Sequence, residues 1–178
     1  MKYFLDDFME FAESRSGIAE GKILNVSEHT DVEDTYCELS NVMLARGKKD
    51  VLDTYYKCMQ GYLTLVGRHS YCCSWREHDN YAEPENDKDF WEFATARGKR
   101  AECDLFYTDT VRNMSRAFFR VRMELICAKQ EDLLNRYVRE FDIYVNLLAA
   151  NAYAEGWKEC KAFYTYSGVP DAKMLLVG

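Results

Sequence analysis

Residues 67 to 88, GRHSYCCSWREHDNYAEPENDK, hold two of the chain's three histidines, His69 and His78, together with the adjacent thiols of Cys72 and Cys73. If a helix runs through Trp75, His69 and Cys73 stand at i and i+4 on one face, which is half of a tetrahedral zinc site. Adjacent cysteines are not a standard zinc spacing, however, and small thiols beside Tyr71 and Trp75 suit a packed core. His69, Cys73 and His78 are therefore the weak metal candidates of a chain from which no metal or cofactor is expected. The acidic run from Glu83 to Asp89 reads as a solvated loop entering a helix rather than as a cation site.

A second group of residues able to bind is RNMSRAFFRVR, residues 112 to 122, which carries Arg112, Arg116, Arg120 and Arg122 without one acid. At about 100° per residue, Arg112, Arg116 and Arg120 share one side of a helix opposite Met114 and Phe118, and Phe119 and Met123 lie among them. Guanidinium groups among aromatics stack on bases, pair with carboxylates of a partner, or hold carboxylates of the same chain. The intramolecular pairing is the first expectation, with the acids brought over by the N-terminal helices. A protein interface comes second. Nucleic acid, with Lys99 and Arg100 adding charge, comes third.

Those acids are concentrated. The formal net charge is −7, and residues 1–45 contain ten acids against three bases, so the remainder balances to zero. Asp31, Glu33, Asp34 and Glu38 form the densest part of this surface. A localised acidic face repels nucleic acid and steers basic proteins, and it can imitate a phosphate backbone.

Familiar catalytic spacings are missing. The sequence contains no glycine-rich phosphate loop, no H-E-x-x-H, no C-x-x-C, no G-x-S-x-G and no Glu-x-x-His pair for a di-iron bundle. Seven cysteines exclude a complete disulfide framework, and with acids in MKYFLDDFMEF where a signal peptide would be apolar, a reduced cytoplasmic setting is expected. No run reaches the ~18 apolar residues that would span a bilayer.

The elements that must position these groups are helical. Only two prolines interrupt a chain that is 48% apolar. Phe4, Phe8 and Phe11, flanked by Leu5, Met9 and Ala12, mark a first helix. Thr30 and Glu33 have capping-box spacing ahead of the stripe Val32, Tyr36, Leu39 and Met43, which Gly47 closes. A third helix from Asp50 carries Leu52, Tyr56, Met59, Leu63 and Val66, and residues 67–88 extend it or form a long loop. A short fourth helix begins at Asp89 and stops at Gly98. One long central helix is predicted from Ala101 to Ala128, burying Tyr107, Val111, Met114, Phe118, Val121 and Leu125. Glu131 to Ala150 follows with Leu134, Tyr137, Phe141, Tyr144 and Leu148, and Trp157, Cys160 and Tyr164 continue it past Gly156 or make a short final helix. SGVPDAKMLLVG closes the chain as a turn and an apolar tail.

The predicted architecture is an all-α, single-domain bundle of five to seven helices over residues 1–178. The function expected of it is a small acidic regulator or inhibitor that binds a protein partner with a basic surface, a phosphate mimic against a nucleic-acid enzyme being one form. Binding nucleic acid directly through Arg112, Arg116 and Arg120 is the alternative. A metal- or thiol-dependent enzyme centred on residues 69–78 is the third reading. No membrane is involved in any of them.

Overall fold

The computed structural model describes residues 8–15, 17, 31–82 and 84–167, and every regular element among them is helical. In chain order these are α1 (residues 8–15), α2 (Val32–Ala45), α3 (Lys49–Glu77) with a 3-10 turn over His78–Asn80, α4 (Asp87–Asp104), α5 (Asp109–Cys127) and α6 (Glu131–Ser167). The all-α bundle implied by the apolar stripes is the observed architecture. Phe4, Leu5, Thr30, Glu83 and the tail 168–178 lie outside the described residues.

Two helices form the axis of the bundle. With 29 and 37 residues, α3 and α6 are about 43 and 55 Å long at 1.5 Å per residue. Along one half of this pair, α2 and α5 close a core of Leu39, Met43, Tyr55, Val121, Leu125, Tyr137 and Leu148. At the other half, α4 packs Ala94 and Ala101 onto Cys73, Tyr153 and Trp157, while α1 sets Ala12 against Tyr71 and Ala152. Two of the tyrosine hydroxyls in the larger core satisfy each other: Tyr55 and Tyr137 are hydrogen-bonded at 2.5 Å, and Tyr137 also reaches Met59 Sδ at 3.5 Å.

Local chemistry sets the ends. Gly47 adopts φ +68 after α2, and the Lys48 and Gly47 amides donate to the Met43 and Leu44 carbonyls at 2.9 Å each, the paired bonds of a Schellman turn. The α4 start is capped by Asn86, whose side chain accepts from the Asp89 amide at 3.0 Å. Thr30, the other half of the capping-box spacing with Glu33, lies outside the described residues. Among the described residues the start of α2 is held from another helix, because the buried Glu140 of α6 accepts from the Asp31 amide at 3.3 Å and places negative charge at the helix N-terminus.

Three expectations are corrected. The stretch 101–128 is not one helix: α4 runs straight through Gly98 to Asp104, and a turn over residues 105–107 precedes α5. Buried Leu105 anchors that turn, and the Thr108 hydroxyl caps α5 by accepting from the Val111 amide at 3.3 Å. Tyr107 consequently lies in the turn and is 86% exposed, whereas Met114, Val121 and Leu125 are buried and Val111 and Phe118 half-buried. On α3 the inward ring belongs to Tyr55, fully buried, and Tyr56 is 48% exposed. Gly98 ends nothing. A Cβ there would stand 2.7 Å from the Ala149 carbonyl carbon and the Ala150 nitrogen, so its role is to let α4 cross α6 closely.

Candidate functional site

The helix α5 has one well-packed face and one open one. Met114, Ala117, Val121 and Leu125 face α3 and α2 inside the larger core. That packing turns Arg112, Arg116, Arg120 and Arg122 outward, and all four are exposed. Arg112 pairs with Asp109 on its own helix at 2.6 Å. Arg116, Arg120 and Arg122 form no ion pair among the described residues. Between them on the same side stand Phe119, 59% exposed, and Met123, 43% exposed. Phe106 and Tyr107, edge to face with ring centroids 5.5 Å apart, are exposed in the turn that leads into the helix.

The arginines therefore do not meet the acids of α2 that the sequence suggested as their partners. Arg136 of α6 meets one of them instead, and Arg139 pairs within α6. Arg136 donates to Glu38 Oε2 at 2.5 Å, and Arg139 donates to Glu140 Oε1 through two nitrogens at 3.0 and 2.8 Å. With Asp31, Asp34 and Thr35 these side chains line a polar cleft of about 180 Å³. The acidic face is thus of mixed charge on the side toward α6. Glu33 sits on the other side of α2, near Tyr36 and Tyr56.

Of the metal candidates, the structure brings two together and separates the third. His69 and Cys73 are one turn apart on α3, with Nε2 and Sγ 3.4 Å from each other. His78 lies beyond the end of that helix, its ring 4.8 Å from that of Trp157 and its Nδ1 3.3 Å from Asp79. Asp104, from the last residue of α4, brings a carboxylate to the first two, and one ligand atom from each of His69, Cys73 and Asp104 lies within 4.8 Å of the others. Sequence spacing gave no sign of Asp104, because it is 31 positions beyond Cys73 in the chain and reaches it only through the packing of α4 against α3. Burial lowers the basicity of His69, aided by nearby Arg76, and raises the Cys73 thiol despite Arg76.

The remaining ionic clusters hold helices to one another. Glu77 at the end of α3 accepts from Arg97 Nε of α4 at 2.8 Å and from the Tyr153 hydroxyl of α6 at 2.8 Å. Arg97 also covers the Tyr81 ring at 4.7 Å. Glu159 takes the Tyr71 hydroxyl at 2.6 Å and pairs with Arg15 of α1. Asp87 and Asp89, from the acidic run, occupy the first turn of α4, where negative charge is favoured.

Comparison of the chain with protein-family models, with curated proteins and with solved structures finds no match.

Proposed function

We propose that this chain is a helical regulator that binds another protein, and that the open face of α5 is its docking surface. The observation that carries the reading is the interleaving of Arg116 and Arg120, unpaired among the described residues, with exposed Phe119 and Met123 on a helix whose opposite face packs into the core. Arginine, methionine and aromatic residues are the types enriched at protein interfaces, with an apolar centre supplying affinity and charges at the rim supplying orientation. Successive arginines four residues apart are about 6 Å apart along the axis. They match a partner that presents carboxylates at helical spacing around an apolar pocket. The complementary partner of this face is therefore acidic. A basic partner would address α2 instead, where Arg136 already offsets part of the charge.

Nucleic acid fits the same arginines less well. Three guanidinium groups spread over about 12 Å neutralise few phosphates. The test is capture from the source cells with the wild type, with Arg116→Glu/Arg120→Glu and with Glu33→Lys/Asp34→Lys, alongside titration of bare DNA and RNA. A protein retained by the wild type and the α2 variant but lost by the α5 variant supports the reading. Loss by the α2 variant alone would move the site to the acidic face. Salt-dependent binding of bare duplex with no protein captured would replace the proposal with the nucleic-acid reading.

A further inference from the structure

We propose that His69, Cys73 and Asp104 form a three-ligand site for a zinc-class divalent cation, with solvent at the fourth position. The first observation is geometric. Bonds of about 2.0 Å to an imidazole nitrogen and 2.3 Å to a thiolate, at the tetrahedral angle, require the two ligand atoms to be about 3.5 Å apart. His69 Nε2 and Cys73 Sγ are 3.4 Å apart, so this edge of a tetrahedron is already formed by the i and i+4 positions of α3. Asp104 completes a mixed nitrogen, sulfur and oxygen set within 4.8 Å, close enough for a rotation of its exposed side chain to bring the carboxylate into the coordination sphere.

The second observation is the placement of Asp104. As the last residue of α4 it sets a carboxylate at the negative end of a helix whose final turn holds no base, an unfavourable position that a cation relieves. Its carboxylate forms no hydrogen bond or ion pair among the described residues. The third is that a cation already stands at the sulfur, since Arg76 Nη2 lies 2.9 Å from Cys73 Sγ. Arg76 is exposed, and its guanidinium moves into water when a metal takes the sulfur. Thiolate and imidazole donors select zinc over magnesium or calcium, and three protein ligands leave one position for water, the arrangement of reactive rather than purely structural zinc.

Cobalt(II) is the probe, because it occupies tetrahedral zinc sites and reports a bound sulfur through a thiolate-to-metal absorption in the near ultraviolet. Chelator-treated protein should take up one equivalent of cobalt with that absorption, and one equivalent of zinc should displace it. Cys73→Ser should abolish the band, and Cys72→Ser should leave it unchanged. Because Cys73 is buried and its replacement can disturb folding, Asp104→Asn, at an exposed position, provides the second arm. It should keep its helicity and its band while binding cobalt about tenfold or more weakly. No saturable absorption in the wild type, a band that survives Cys73→Ser, or undiminished affinity in Asp104→Asn would overturn the assignment.

Discussion

Gly98 and Gly61 look alike in the sequence, each a glycine inside a helical stripe, and their surroundings are opposite. A Cβ on Gly98 meets the backbone of α6 at 2.7 Å, and backbone cannot step aside. Gly98→Ala should therefore destabilise the fold by about 2 kcal/mol, within the range for overpacking a close-packed contact. Nothing lies within 4 Å of a Cβ on Gly61, which is exposed in mid-α3. Gly61→Ala should stabilise by up to about 1 kcal/mol through helix propensity. Chemical denaturation of the two variants reads both signs. The same distinction between similar residues applies to the thiols. Burial pushes Cys72 up to about 11 and Cys160 up to about 12, so both remain protonated near pH 8, whereas Cys37, Cys103 and Cys127 are exposed. An alkylating reagent at pH 8 should mark the exposed set first, and labelling of Cys72 and Cys160 should accelerate only as the pH approaches those values. Peptide mapping against time checks the order. Glycine as a helix stop and glycine as a crossing point have one sequence signature, which is why Gly98 was legible as special and not as to its role.

Stripes at helical spacing fixed the type of nearly every helix, since α2, α3 and α6 bury the leucines and methionines that the periodicity marked. Boundaries were less legible. The break between α4 and α5 depends on one hydroxyl cap, Thr108, and on Leu105 turning into the core, and neither interrupts the apolar pattern enough to be seen. Only tertiary contact reveals that Glu140 supplies the cap of α2. The end of α5 makes a further prediction. Gln130 and Lys129 donate to the Leu125 and Ile126 carbonyls at 2.9 Å each, a Schellman turn like that at Gly47, but the left-handed position is held by Lys129 at φ 57. A side chain there costs about 1 kcal/mol that glycine does not incur. Lys129→Gly should raise the melting temperature by several degrees, and an unchanged or lower value in a thermal scan would contradict this account of the turn.

The formal charge of the chain was readable to the last unit, but its pairing was not. Acids of α2 and arginines of α5 are the obvious partners by composition, and the topology separates them by making α6 the neighbour of α2. Arg136 thus performs the role expected of Arg112, Arg116 and Arg120 by pairing with Glu38. The consequence is a bundle with one face of balanced charge and one basic, partly apolar face on which Arg116, Arg120 and Arg122 have no ion-pair partner among the described residues. Arg116→Ala should accordingly leave the melting temperature within about 1 °C of wild type, as exposed charges contribute little to stability. The most direct measurement is the affinity of the captured partner for the wild type, for Arg116→Glu/Arg120→Glu and for Asp31→Lys/Asp34→Lys, read by titration calorimetry with a melting curve for each variant. The α5 reversal should weaken binding by about a hundredfold, roughly 2.7 kcal/mol, at an unchanged melting temperature, while the α2 reversal binds within a few-fold of wild type. Full affinity in the α5 variant, or its loss together with a collapse of the melting temperature, would contradict the assignment of that face as the docking surface.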